Sequence, residues 1–230
     1  MKILARVNWL YTAFIILAGL LVKIVFFPFL PRPYASKLAA WFIRVLIFVH
    51  VKKVGDIDPE AQMLIINHQS ELDIGVIEST TKRDLAWVAK KELFEVPFFS
   101  LAVRLSKDIP LERESKSALV TLLKAAKERV DGGRLICIFP EGTRSESGRM
   151  RPFKPGAKLI ADKLGLKVQP VVLVETSRYF STKQMTARPG TITAVFLESF
   201  TADKNDRAWL GRLQATMQET YDRYAQKEAQ

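Results

Sequence analysis

The sequence predicts an α/β fold, a mixed central sheet covered by helices, preceded by an N-terminal membrane-associating two-helix motif. Three observations carry this expectation. From Val51 onward, short apolar runs alternate with helical patterns, the signature of a sheet with helices packed against it. Several runs are apolar at every position, as strands covered on both faces require. The first 50 residues hold two apolar stretches separated by "PFLPRP", Pro28 to Pro33. At 230 residues the chain is long enough for one core of ordinary size. The expected partition is a helix pair over 1–50 and an α/β domain over 51–230.

Trp9 to Leu30 is apolar apart from Thr12 and Lys23, and its length suits roughly 30 Å of hydrocarbon. Lys23 opposes a crossing, because a lysine near mid-span costs about 2.5–3.5 kcal/mol on insertion scales. Leu38 to Val51 contains Arg44 and His50 and is too short to cross comfortably. The intervening prolines must break the helix. Two arrangements remain open, a span followed by a surface helix and a hairpin lying in the interface, with the hairpin preferred. A buried pair in a soluble core is the alternative. No small-residue cleavage site follows the apolar segment, so it does not read as a cleaved leader. If there is a span, Arg32, Lys37, Arg44, Lys52 and Lys53 after it outnumber Lys2 and Arg6 before it, which puts the remainder on the cytoplasmic side.

Strands are expected near Val51–Val54, Met63–Ile66, Leu85–Val88, Ile109–Leu111, Leu135–Phe139, Val168–Val174 and Thr191–Leu197. Helices are expected near Leu72–Ser79, Pro97–Leu105, Lys116–Val130, Pro155–Lys163 and Asp206–Ala225. The third of these has the clearest pattern, with Ser115 to cap it and "DGG" at Asp131–Gly133 to stop it.

The balance of 35 Lys and Arg against 24 Asp and Glu gives a net charge of +11, which suits a polyanionic partner: nucleic acid, anionic lipid or a phosphorylated substrate. A lone cysteine, Cys137, excludes an internal disulfide framework and fits a reducing compartment. With two histidines, one of them in the apolar segment, and no cluster at ligand spacing, a metal site is not expected.

Two stretches bear chemistry. "NHQSELD", Asn67 to Asp73, directly follows a strand and places His68 at its carboxyl end, where α/β proteins put their sites. Asp73 can fold back to hold one ring nitrogen. The same letters also read as a capping box, Ser70 at the N-cap and Asp73 three residues on, and on spacing alone the two readings compete. "FPEGTRSESG", Phe139 to Gly148, ends another strand in an abrupt polar burst. There is no G-x-S-x-G elbow, and Cys137 alternates within "LICIF" as a small buried residue would. A base without a protein nucleophile points to a substrate hydroxyl attacking an already activated acyl group. Lys90, Lys91 and Arg144 bring cations to strand ends, and Arg grips phosphate with paired hydrogen bonds. Arg149, Arg151, Lys154 and Lys158 continue the basic zone, where anionic head groups or a nucleotide-bearing donor could lie.

"NHQSELD" resembles the N-H-x4-D motif, and "FPEGTRS" the F-P-E-G-T-R motif, of the glycerolipid acyltransferases, the bacterial 1-acyl-sn-glycerol-3-phosphate acyltransferases most of all. "AKKELFEVPFF" and "VQPVVLV" are similar to further segments of that family, so the resemblance covers about Asn67 to Val174. It implies His68 as general base and Asp73 as its orienter. Lys90 and Arg144 would bind the acceptor phosphate, Glu141, Gly142 and Thr143 would shape the pocket, and Arg113 would join them. It also implies an acyl thioester donor on coenzyme A or acyl carrier protein, no cofactor, a lysophospholipid acceptor, membrane lipid as surroundings, no nucleic acid, and a place on the cytoplasmic face of an inner membrane. The sequence departs from the pattern at Glu112, Ser100 and Gln169, which leaves a lyso-ornithine lipid or another lysophospholipid open as acceptor. A non-enzymatic basic membrane tether, or a hydrolase using water, are the competing classes.

Overall fold

The structure, a computed structural model, describes residues 2–111, 116–145 and 147–228. Two helices lead, α1 (Lys2–Phe26) and α2 (Arg32–Leu46). Then follow β1 (Val49–Val54), β2 (Met63–Ile66), α3 (Leu72–Thr80), β3 (Leu85–Lys90), a 3₁₀ turn at Lys91–Phe94, α4 (Phe99–Leu105), β4 (Ile109–Leu111), α5 (Lys116–Asp131) and β5 (Leu135–Ile138). The chain continues through α6 (Pro155–Leu164), β6 (Lys167–Val174), the single turn α7 (Thr176–Tyr179), a small hairpin of β7 (Phe180–Ser181) and β8 (Thr186–Ala187), β9 (Gly190–Phe196), β10 (Phe200–Thr201) and α8 (Trp209–Glu228).

The main sheet runs β1-β9-β6-β2-β5-β3-β4, with β10 beside β6. From β6 to β4 all neighbours are parallel, whereas β9 lies antiparallel to β6 and parallel to β1. The expected mixed sheet is therefore present. Its consequence for chemistry is that β2, β3, β5 and β6 deliver their carboxyl ends to one edge, where open α/β sheets carry their sites.

Alternation along the strands explains the apolar runs. In β2, β5 and β6, residues Met63, Ile65, Ile136, Val168 and Val172 face a core shared with α5, α6 and α8. Leu64, Ile66, Leu135, Cys137, Val171 and Leu173 face a second core shared with the N-terminal side of the chain. Cys137 is fully buried there, and burial pushes its thiol well up.

The expected elements recur with shifted ends. The first strand starts at Val49, the helix expected from Pro97 starts at Phe99, and Phe139 lies just outside its strand. The last helix begins at Trp209. The structure adds α7, the β7–β8 hairpin and β10, which are too short to show a period in the sequence.

The helix pair is fused to the domain. α1 packs against α2, α4, β7 and β8, Ile15 and Ile47 enter the second core, and Trp9 stacks on Phe180 at 6.3 Å. The two helices touch at Gly19, where an added Cβ would collide with the Ile43 side chain. On the outer face Val7, Leu10, Phe14, Leu17, Leu21 and Val25 are exposed at spacings of three and four, joined by Trp41 and Val45 of α2 and by Phe48. Ala5–Phe26 is long and apolar enough to cross a membrane. Lys23 sits off the outer stripe, half-buried, and its charge acts on the buried carboxyls of Glu78 and Asp108.

Candidate active site

At the end of β2 the chain must leave the sheet without stranding the neighbouring backbone. Asn67 does this with its side chain: its amide donates to the Leu173 carbonyl at 2.8 Å and accepts the Leu173 N–H at 2.7 Å. His68 is thereby set at the sheet edge. Its Nδ1 lies 2.8 Å from Asp73 Oδ2. The same oxygen accepts the N–H groups of Gln69 at 2.7 Å and Ser70 at 3.0 Å, and Oδ1 accepts the Thr176 hydroxyl at 2.5 Å. Asp73 is fully buried and surrounded by donors, so Nδ1 carries the proton toward it and Nε2 is left to accept one. The ring stacks on Phe139, with centroids 3.9 Å apart, and Phe139 stacks in turn on Trp87.

The Asp73 carboxylate holds the imidazole and, with the same oxygen, the N–H groups of Gln69 and Ser70 in the turn ahead of α3, whereas the expected capping box with Ser70 at the N-cap does not form. Ser70 is one residue too early for the N-cap position, which Glu71 occupies. The Ser70 hydroxyl accepts the Leu72 N–H at 3.2 Å and donates to the Phe180 carbonyl at 2.7 Å.

The polar burst after β5 is a turn. The Gly142 N–H donates to the Phe139 carbonyl at 3.0 Å, with Pro140 second in the turn, where its fixed φ belongs. Gly142 has φ 67°, a backbone shape that side chains disfavour. Glu141 is 1% exposed, and its two oxygens accept the N–H groups of His68 at 2.8 Å and Arg151 at 2.7 Å. Burial pushes its pKa up, offset in part by those two donors. A carboxylate so committed holds the backbone of both motifs in place. The Ser145 N–H closes the link from the other side, donating to the His68 carbonyl at 2.8 Å. The two motifs are thus bonded into one unit.

Arg144 follows on that unit. Its Nη1 pairs with the Glu71 carboxylate and reaches the Thr182 hydroxyl at 3.2 Å. A cleft of about 550 Å³ is lined by Thr143, Arg144, Arg151, Thr182 and Lys183 among others. Lys90 is exposed at the end of β3, on the same sheet edge. Arg113, together with Glu112 and the expected cap Ser115, lies outside the described residues. Gln169 is far from all of this: its amide holds the Asp56 and Leu197 carbonyls and the Asp58 N–H toward the other end of β6. That departure from the motif is a staple of the fold.

An acyltransferase family model matches residues 41–174, more than half of the chain and both motifs. The chain belongs to the acyltransferase family. This acyltransferase is 40% identical to the 1-acyl-sn-glycerol-3-phosphate acyltransferase of Helicobacter pylori over 92% of its own length and 91% of that protein's. It is 33% identical to the enzyme of the same name from Pseudomonas aeruginosa, over 69% of this chain and 62% of that one. The crystal structure of the 1-acyl-sn-glycerophosphate (LPA) acyltransferase of Thermotoga maritima superposes with a TM-score of 0.73 at 25% identity, covering 99% of this chain and 97% of that one.

Several residues of the acyltransferase site escaped the sequence reading. Thr176 reaches Asp73 only because β6 lies next to β2, and the left-handed Glu175 (φ 51°) turns the chain directly before it. Thr182 comes from a hairpin with two-residue strands. Glu71 and Phe139 stood inside the quoted motifs, with nothing in their spacing to separate them from their neighbours.

Proposed function

We propose that this acyltransferase moves a fatty acyl group from an acyl thioester, on coenzyme A or acyl carrier protein, to the sn-2 hydroxyl of lysophosphatidic acid, giving phosphatidic acid. The observation that carries the reading is one unit in which a carboxylate-held imidazole and a guanidinium-lined cleft are bonded together. It sits in a chain alike, over nearly its whole length, to an enzyme of that name.

In this reading His68 Nε2 takes the proton of the acceptor hydroxyl as its oxygen bonds to the thioester carbonyl carbon. Asp73 stabilises the resulting imidazolium. Collapse of the tetrahedral species breaks the C–S bond, and the proton passes to the departing sulfur. Arg144, with Thr143 in the same cleft and Gly142 giving room, takes the acceptor phosphate, joined by Lys90 from the end of β3, while Glu141 holds the loop behind them. No covalent enzyme intermediate is needed, in keeping with a site whose described residues include no activated serine or cysteine.

Residues 1–50 form the membrane-associating part, with the outer stripe of α1 and the exposed apolar residues of α2 in the lipid interface on the cytoplasmic face of the inner membrane. Support comes from α1 itself: Trp9 stacks on Phe180, and the helix packs along α4, β7 and β8 of the domain. A crossing would pull it away.

The test is thiol release from acyl-coenzyme A on addition of lysophosphatidic acid, with the product identified by mass. His68→Ala should lower turnover by roughly 10³-fold, at the level expected for loss of a general base, with circular dichroism unchanged. Turnover within about tenfold of the parent would remove His68 from this role.

A further inference from the structure

Phe139 lies flat against the imidazole of His68, with ring centroids 3.9 Å apart and planes 12° from parallel. Phe139 is stacked in turn against Trp87, at 5.2 Å and 25°. Trp87 is itself anchored, because its Nε1 donates to the buried Glu78 carboxylate at 3.0 Å. The Phe139 carbonyl accepts the Gly142 N–H at 3.0 Å, so the turn fixes its backbone as well. We propose that Phe139 is a positioning residue for acyl transfer: its ring holds the His68 imidazole in plane and stabilises the imidazolium that forms when the acceptor hydroxyl gives its proton to Nε2.

The inference deepens the proposed reaction and rests on His68 being its base. His68 already has three polar holds: its N–H on Glu141, its carbonyl on the Ser145 N–H, and Nδ1 on Asp73. These fix the backbone and one ring nitrogen. A hydrogen bond tolerates misalignment by tens of degrees, so the ring can still tilt about its Nδ1 contact, and tilting moves Nε2, the atom that takes the proton. A flat stack opposes this, since a tilt lifts one edge of the imidazole off the Phe139 face and drives the other into it. Charge adds a second effect. The face of an aromatic ring carries the negative part of its quadrupole, and a cation within about 6 Å of the centroid is attracted to it, more strongly where water is kept out. The His68 side chain is only 18% accessible, and the rings beneath it are apolar. An imidazolium gains more from that face than a neutral imidazole does, so the contact strengthens as the proton arrives. An interaction that grows toward the transition state raises kcat and leaves substrate binding alone.

The experiment uses the full-length protein with Phe139 replaced by mono-, di- and trifluorinated phenylalanine, which drain the ring face of charge while keeping its shape, and by para-methylphenylalanine as a control for size. Acyl transfer is followed in a single turnover at saturating lysophosphatidic acid, on the alkaline plateau of the pH profile, so that the imidazole starts neutral and product release is not read. The rate should fall with each added fluorine, reaching roughly fivefold to tenfold in the trifluorinated protein. The steady-state KM for lysophosphatidic acid should be nearly unchanged, and the methylated protein should stay near the parent. Phe139→Leu, which also loses the flat face, should be slower still, and Phe139→Tyr should recover most of the rate. A rate indifferent to fluorine number, or lowered as much by the methyl group as by three fluorines, would reduce Phe139 to packing and overturn the proposal, with lost turnover in His68→Ala leaving the base in place. Turnover of His68→Ala within about tenfold of the parent would overturn the reading on which the proposal rests.

Discussion

Thr176 places a hydroxyl on the one Asp73 oxygen that the imidazole does not use. Removing it leaves a buried acceptor short of a donor, at a cost of about 1–3 kcal/mol, and loosens the group that orients His68. Thr176→Val should lower kcat by roughly tenfold to a hundredfold with KM nearly unchanged, and Thr176→Ser should restore most of it. A purely structural part for the hydroxyl would instead appear as lost thermal stability with normal kcat in the folded fraction. The same arithmetic explains why Glu141 is a risky position. Glu141→Ala frees the N–H groups of His68 and Arg151 together, so both motifs lose their common tie.

At the scale of elements, β4 is held to β3 by a side chain as well as by the ladder. Asp108, directly before β4, accepts the Trp87 N–H at 3.1 Å, and burial pushes its carboxyl up to about 6, against the lowering pull of Lys23 and the Trp87 N–H. Its unfolded value is about 3.9, so between about pH 4 and 6 the folded state retains a proton that the unfolded state has lost. This contribution to stability is complete below pH 4 and disappears as the pH rises through 6. Asp108→Asn keeps the acceptor oxygen and removes the titration. Urea unfolding in detergent should show it more stable than the parent at pH 7.5 by on the order of 3 kcal/mol, with the difference gone at pH 4.

Elements also show what could be read beforehand. The buried strands and α5 were legible because their periods are long enough to count, and His68 and Arg144 because they stand at strand ends. The β7–β8 hairpin was not legible, since two-residue strands carry no alternation, yet it supplies Thr182 to the site. Nor could Asp73's double duty be read, because spacing fixes which groups are near and not how many donors a buried oxygen collects.

For the whole molecule, the +11 charge and the apolar outer face of α1 act on the same surface problem. Burying the exposed stripe should dominate attachment, with charge adding a part that salt screens. Phe14→Glu on that face should reduce sedimentation with anionic vesicles by at least about tenfold. Raising salt from about 0.1 to about 0.5 M should release a smaller share of the parent, because the Debye length falls below about 10 Å while apolar burial persists. Unchanged vesicle binding in Phe14→Glu would assign attachment to some other face.

Lys23 finally bears on the order of assembly. Glu78 and Asp108, the buried carboxyls on which it acts, come from α3 and from the approach to β4, which the ribosome makes much later than α1. A nascent α1 entering lipid alone would carry its ammonium into hydrocarbon, whereas in the finished protein α1 rests on α4, Phe180 and β8, which are also made later. The enzyme should therefore reach its bilayer as a completed body, after release: ribosome-bound chains stalled before Asp108 should float free of added vesicles, and the full-length product should not.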